Sequence, residues 1–241
     1  MTAVEFWDKR FSSGGDQGSG VRKPSAAHPY LEHALEHFGD VDGRTVIDIG
    51  CGRGEATLYF AGHGAHVIAV DTSEVAIRNL TQFCEAEGIS SVDGRVLSAM
   101  DIGELGPQDL VYGSLILHHL EPFEEFARTL RAAIRPGGKG YFYENNAASR
   151  TMVWFRRHVV GKMWVPKHGD DDEFPLEPHE VDELRKQFTV EQSFPELLYF
   201  ELASSYLLKG KLSGPTKKID ATLHRFEPIR RYSYRQELRL S

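Results

Sequence analysis

Residues 45–55 read Thr45-Val46-Ile47-Asp48-Ile49-Gly50-Cys51-Gly52-Arg53-Gly54-Glu55, and the fold follows from how this stretch changes character at Gly50. The first five residues are apolar or β-branched apart from Asp48, as a strand covered on both faces requires. Glycines at 50, 52 and 54 then let the backbone turn sharply and bring its N–H groups against a ligand with no Cβ in the way. EATLYFAGHG (55–64) reads as the helix that follows, so the turn offers a helix N-terminus to whatever it binds. The spacing differs from the dinucleotide fingerprint, whose third glycine falls three residues after the second rather than two.

Outward from this turn, strand and helix signals alternate. HVIAVD (66–71) reads as a second strand, SEVAIRNLTQFCEAEG (73–88) as a helix, GRVLSAMD (94–101) as a third strand and DLVYGSLIL (109–117) as a fourth. The amphipathic run FEEFARTLRAAI (123–134) predicts a helix stopped by PGG (136–138), and KGYFYEN (139–145) a fifth strand. Parallel neighbours need crossovers, so this alternation predicts an α/β fold with a parallel sheet and helices on both faces. Ligands in such sheets bind beyond the carboxyl ends of the strands. PYLEHALEHF (29–38) has helical spacing and GDVDG (39–43) ends it, while SSGGDQGSG (12–20) is too poor in apolar groups to pack and reads as mobile. After Asn145 the alternation stops: 148–164 is rich in aromatic and basic groups, GDDDEFPLEP (169–178) reads as a loop and HEVDELRKQF (179–188) as a helix. A strand is expected over 189–200, then a helical stretch and a last strand at 235–240.

Two carboxylates narrow the ligand. Asp48 sits inside the first strand, where a pyrophosphate would be repelled and a positively charged amino group held. Asp71 ends the second strand, 21 residues after Gly50, where a carboxylate accepts hydrogen bonds from ribose hydroxyls. Together they describe a nucleoside carrying a cationic amino-acid tail. The runs Val46 to Gly54 and Val70 to Ser73 resemble the V-I-D-I-G-C-G-x-G and V-D-x-S patterns of the class I S-adenosylmethionine-dependent methyltransferases. WDKRF (7–11) is similar to the N-terminal element of small-molecule methyltransferases of the ubiquinone/menaquinone-like group.

This resemblance covers about residues 5–145. It implies a Rossmann-like, mostly parallel seven-stranded sheet with the last strand antiparallel, and a lid inserted after the fifth strand. A single domain is expected, with an N-terminal cap (1–40), a cofactor-binding core (44–145), a lid (146–188) and C-terminal strands and helix (189–241). The implied cofactor is S-adenosyl-L-methionine, left as S-adenosyl-L-homocysteine after transfer. Its implied contacts are Trp7 as a cap, the turn from Asp48 through Gly50, Gly52 and Gly54, then Asp71 and Thr72. Asp101 would face the adenine amino group with Met100 and Ile102 flanking the ring, and Ser114 would close the fourth strand. Each has an ordinary alternative: Asp71 as a helix cap, Asp48 as a carboxylate paired elsewhere, Asp101 as a helix start. Cys51 reads as a small filler of the turn.

Methyl transfer is an in-line displacement that depends chiefly on alignment, so it requires no fixed catalytic motif. If the acceptor is a hydroxyl, a base removes its proton, and His118 and His119 stand just beyond the fourth strand. Neighbouring residues project differently, and His119 is the preferred base of the two. Glu144 and Asn145 should border the acceptor. Trp154, Arg157 and His158, with Arg156 and Trp164, read as a lid whose arginines suit an anionic substrate. His168, Asp170, Asp171, Asp172 and Glu173 are adjacent in a loop and so unsuited to converge on one ion, and no metal is expected.

A chain of 241 residues with 41% apolar content fits one core. With 35 acidic against 28 basic residues the charge is −7, which disfavours nucleic acid. Arg225, Arg230, Arg231, Arg235 and Arg239 make the last stretch basic and read as solvated charge. Two cysteines form no framework of disulfides or metal ligands, there is no leader-like apolar run, and no 18 consecutive residues are apolar, so a cytoplasmic protein without a membrane span is expected. The expected function is methylation of a small-molecule substrate, at oxygen, by a monomer or homodimer. Two alternatives stay open: a non-methylating use of the cofactor such as a cyclisation, and a non-catalytic cofactor-binding partner subunit.

Overall fold

In the computed structural model, which describes residues 3–12, 20–25, 28–158 and 175–241, Val46, Ile47 and Ile49 are fully buried because β1 (Thr45–Ile49) runs between two parallel neighbours. On one side β2 (His66–Asp71) pairs Val70 with Ile49; on the other β4 (Gln108–Ser114) pairs Tyr112 with Asp48. β3 (Val92–Val96) and β5 (Ile134–Asn145) extend the parallel run outward. β7 (Arg235–Leu240) is antiparallel to both β5 and β6 (Val190–Ser193), which gives the order β3-β2-β1-β4-β5-β7-β6. The expected seven-stranded sheet with its antiparallel last strand is the one found.

Side chains alternate across the strands, and each face takes its own helices. α2 (Pro29–Phe38) and α3 (Glu55–Gly62) bury Leu31, Phe38 and Phe60 against Val46, Tyr112 and Tyr141. α5 (Phe123–Ala133) presents Phe123, Phe126, Ala127 and Leu130 at helical spacing to Ile47, Val111 and Phe142 on the opposite face. α1 (Ala3–Ser12) lies against α4 (Glu74–Glu87). α6 (Arg150–His158), α7 (Pro178–Gln187), α8 (Tyr199–Leu208), α9 (Ser213–Leu223) and α10 (Glu227–Arg230) belong to the C-terminal third.

Three expected boundaries move, each for a local reason. The third strand stops at Val96 rather than running from 94 to 101, because the Ser98 hydroxyl accepts the Met100 N–H at 3.1 Å and starts a 3-10 helix, Ala99–Leu105. PGG does not merely stop a helix. Ile134 already pairs with Gln108 and the ladder resumes at Leu110 and Lys139, so the glycines form a bulge inside β5. A Cβ on Gly138 would stand 2.6 Å from the Asp109 carbonyl oxygen. The strand expected over 189–200 is only Val190–Ser193, since Pro195 withholds a ladder N–H and three helices follow before β7.

The expected lid is described only in part. Residues 159–174, with Trp164, His168, Asp170, Asp171, Asp172 and Glu173, lie outside the described residues, as do 13–19 of the glycine-rich N-terminal segment. Among the described residues no helix is long and apolar enough to cross a membrane.

Candidate cofactor and acceptor site

Gly50, Gly52 and Gly54 have φ of 68°, 49° and 74°, a left-handed conformation that residues with a Cβ rarely adopt. A Cβ on Gly50 would lie 3.0 Å from the Ile116 side chain, and one on Gly54 2.5 Å from Leu80 Cδ1. The turn is tied to the end of β2, where the Val70 carbonyl accepts Gly50 N–H at 2.8 Å and Cys51 N–H at 3.0 Å. Asp71 completes the tie: one carboxylate oxygen accepts Gly52 N–H and the other Ser73 N–H, both at 2.9 Å. Burial pushes the Asp71 pKa up, the Ser73 and Gly52 N–H groups oppose this, and Asp8 adds to the rise. Ser73 caps α4, accepting Ala76 N–H at 3.1 Å, and its hydroxyl donates to Asp8.

Each oxygen of Asp71 keeps lone-pair capacity beyond these bonds, as a ribose diol requires. Asp71→Ala is therefore expected to weaken cofactor binding by roughly 1.5–3 kcal/mol while the protein still folds. Calorimetry showing unchanged affinity in a folded variant would remove Asp71 from the site.

Asp48 lies at the carboxyl end of β1, 2% exposed, and Thr57 Oγ1 of α3 donates to it at 2.5 Å. Burial raises its pKa from 3.8 to about 7, and the charge of Asp71 pushes the same way. A ligand ammonium beside these carboxylates would offset that cost. The donor set thus fits S-adenosylmethionine: a carboxylate for a positive tail, a carboxylate for a diol, and a turn that a Cβ would block. Thr57 was not picked out in the sequence. Its signal was the helical phase of α3 against β1, which requires knowing how the two pack.

α1 covers this end of the sheet. Phe11 is buried with its ring 3.4 Å from where a Cβ on Gly52 would stand. Trp7 stacks on Phe11 with centroids 5.9 Å apart and meets His119 edge-on at 6.2 Å. Asp101 and Thr72 are exposed, and Met100 and Ser114 are half-buried. Ile102 departs from expectation: it is fully buried in the core with Ile49, Val70 and Leu117, so it lies beneath the surface rather than presenting itself to a ring.

Beyond β4 the backbone turns at Leu115, whose φ of 55° is uncommon for a residue with a Cβ. The turn brings two N–H groups onto one oxygen of Glu144, from Ile116 at 2.7 Å and Leu117 at 2.6 Å. His118 Nδ1 lies 2.8 Å from the other oxygen. Glu144 is fully buried and the His118 side chain is 1% exposed. A buried carboxylate requires such donors, and three converge on it. The rings of His118 and His119 lie 4.1 Å apart.

Glu144 thus backs His118 from within instead of bordering the acceptor directly. Asn145 is also turned inward: it is buried, its side-chain oxygen accepts from Arg235, and its carbonyl accepts from Gln236. Trp154 and Arg157 are exposed, and His158 stacks on Trp154 at 5.0 Å on the outer surface of α6.

Residues 46–138 match the family described as "Methyltransferase domain". The ubiquinone biosynthesis O-methyltransferase of Rhizobium rhizogenes is 30% identical over 162 residues, 63% of this chain and 64% of that relative. That of a Methylobacterium species is 33% identical over 144 residues, 58% of this chain and 56% of the relative. The chain therefore spans less than two thirds of the length of these curated relatives. Among solved structures, the [4+2]-cyclase SpnF is similar with a TM-score of 0.64 at 15% identity, over 98% of this chain and 93% of that one, a likeness of fold.

Proposed function

We infer that this chain is a class I Rossmann-like S-adenosylmethionine-dependent methyltransferase, a reading supported by the match of residues 46–138 to a methyltransferase domain, and that it methylates an oxygen of a small-molecule acceptor. The carrying observation is the Glu144–His118 pair at the carboxyl end of β4, beside the glycine turn. When bound, the cofactor supplies an electrophilic methyl group on a positively charged sulfur. Asp48 and Asp71 hold it by its tail and its ribose, and α1 with Trp7 covers it. Glu144 accepts from His118 Nδ1, which leaves the lone pair on Nε2. His118, whose Nε2 is buried in the free structure, takes the proton of the acceptor hydroxyl when the acceptor displaces its cover, and the imidazolium so formed faces the Glu144 carboxylate. This takes His118 as the base in place of His119, the one preferred from sequence; His119 is assigned to the wall against Trp7. Trp154, Arg157 and His158 are assigned to the lid over the acceptor. The names of the curated relatives support oxygen as the acceptor atom.

Incubation with cofactor labelled in its methyl group and a metabolite extract should place the label in a small molecule heavier by one CH2. A product without label and isomeric with its substrate would sink the proposal in favour of a cyclisation. Cofactor bound but left intact with every acceptor pool would sink it in favour of a non-catalytic subunit.

A further inference from the structure

We propose that the helical layer between β6 and β7 docks on an anionic lipid surface. Residues 208–232 carry seven lysines and arginines against two carboxylates, in a chain whose net charge is −7. One of the two, Asp220, is buried and accepts Phe200 N–H at 3.0 Å and Glu201 N–H at 2.8 Å at the start of α8, so it does not offset the surface charge.

The same layer exposes large apolar side chains: Leu208 at 44%, Leu212 at 48%, Ile219 at 45%, Phe226 at 57% and Tyr232 at 39%. Each has an exposed cation next to it in sequence, namely Lys209, Lys211, Lys218, Arg225 and Arg231 in turn. Among the described residues no carboxylate pairs with Lys209, Lys211, Lys218 or Arg225, whereas Lys217 is taken up by Glu201 at 3.1 Å. A solvated basic tail needs no exposed Phe or Leu beside each charge. Apolar groups that dip below the headgroups and cations that stay among them need this pairing. An acidic protein or a nucleic acid would match the charge and leave the apolar half without a role.

The layer also meets the sheet at the end where the candidate site lies. α10 leads into β7, whose first residue, Arg235, pairs with Asn145 at the carboxyl end of β5, and Asn146 Nδ2 donates to the Arg231 and Ser233 carbonyls at 2.9 Å each. A surface held here would deliver an amphiphilic acceptor to the methyl group. That consequence rests on the methyltransferase reading, and the docking itself does not.

The test is co-sedimentation of the full chain with phosphatidylcholine vesicles with and without phosphatidylglycerol. Binding is expected only with the anionic lipid, and added salt should weaken it. Replacing Lys209, Lys211, Lys218 and Arg225 together by glutamine should lower partitioning by two to three orders of magnitude, at about fivefold per cation. Emission of a Phe226→Trp variant should shift to the blue on anionic vesicles and be quenched by brominated lipid. The docking is overturned by wild-type chain that stays in the supernatant, by a quadruple variant that binds as well as wild type, or by retention on RNA but not on vesicles. Circular dichroism of the variants and calorimetry with the cofactor are run on the same samples. Chain that binds cofactor but not vesicles removes the docking alone; chain that binds vesicles but not cofactor removes the methyltransferase reading alone.

Discussion

Asp48→Asn should stabilise the free protein at pH 8 and weaken its hold on the cofactor. Folding raises the Asp48 pKa from 3.8 to about 7, with burial as the main cause. As pH rises past 4 the unfolded chain loses this proton first, so the folded state binds more protons between about pH 4 and 7 and stability falls across that window. By pH 8 the loss is about 4 kcal/mol, at about 1.4 kcal/mol for each of some three units. Asparagine is isosteric, accepts from Thr57 through its side-chain oxygen, and does not titrate. The variant should therefore melt roughly 10 °C above wild type at pH 8 and above it by less than half of that at pH 5. Losing the carboxylate removes a charge-assisted contact to the ligand ammonium, so affinity should fall roughly 10- to 100-fold. Melting curves from pH 5 to 8 and calorimetry with the cofactor check both halves. A variant that gains no stability at pH 8 would mean that the carboxylate is solvated, and one that binds cofactor normally would take it out of the site.

What the sequence disclosed and what it hid divide along contact range. The helix at 29–38 and the strand at 66–71 have the expected bounds because periodicity and flanking glycines are local signals. The contact of Asp71 with the turn is of similarly short range, since the second strand delivers the carboxylate to Gly52 only 19 residues away. Glu144 was misread as a cleft residue because its partner His118 is 26 residues distant and meets it only through the pairing of β4 with β5. Ile102 was misread because the 3-10 turn set by Ser98 rotates it into the core. Composition counts the cations of the last stretch without showing which apolar neighbours stay exposed beside them.

His118→Ala should lower turnover about 10²–10⁴-fold with cofactor affinity nearly unchanged, the effect of removing a general base that does not touch the cofactor. The corresponding change at His119 should do less and act mainly on acceptor KM, because that ring packs against Trp7 and His118. Glu144→Gln separates orientation from proton transfer. An amide has one acceptor oxygen where Glu144 uses two, so it cannot serve both the Ile116 and Leu117 N–H groups and His118 Nδ1. Its kcat should fall without a matching change in cofactor affinity, and Glu144→Asp should restore part of it. In the wild type the rate should fall at acid pH, because a protonated His118 cannot accept the hydroxyl proton. The His118→Ala variant should lose that dependence. A larger loss at His119 than at His118 would return the base to His119, and full activity in both would leave alignment alone as the source of the rate.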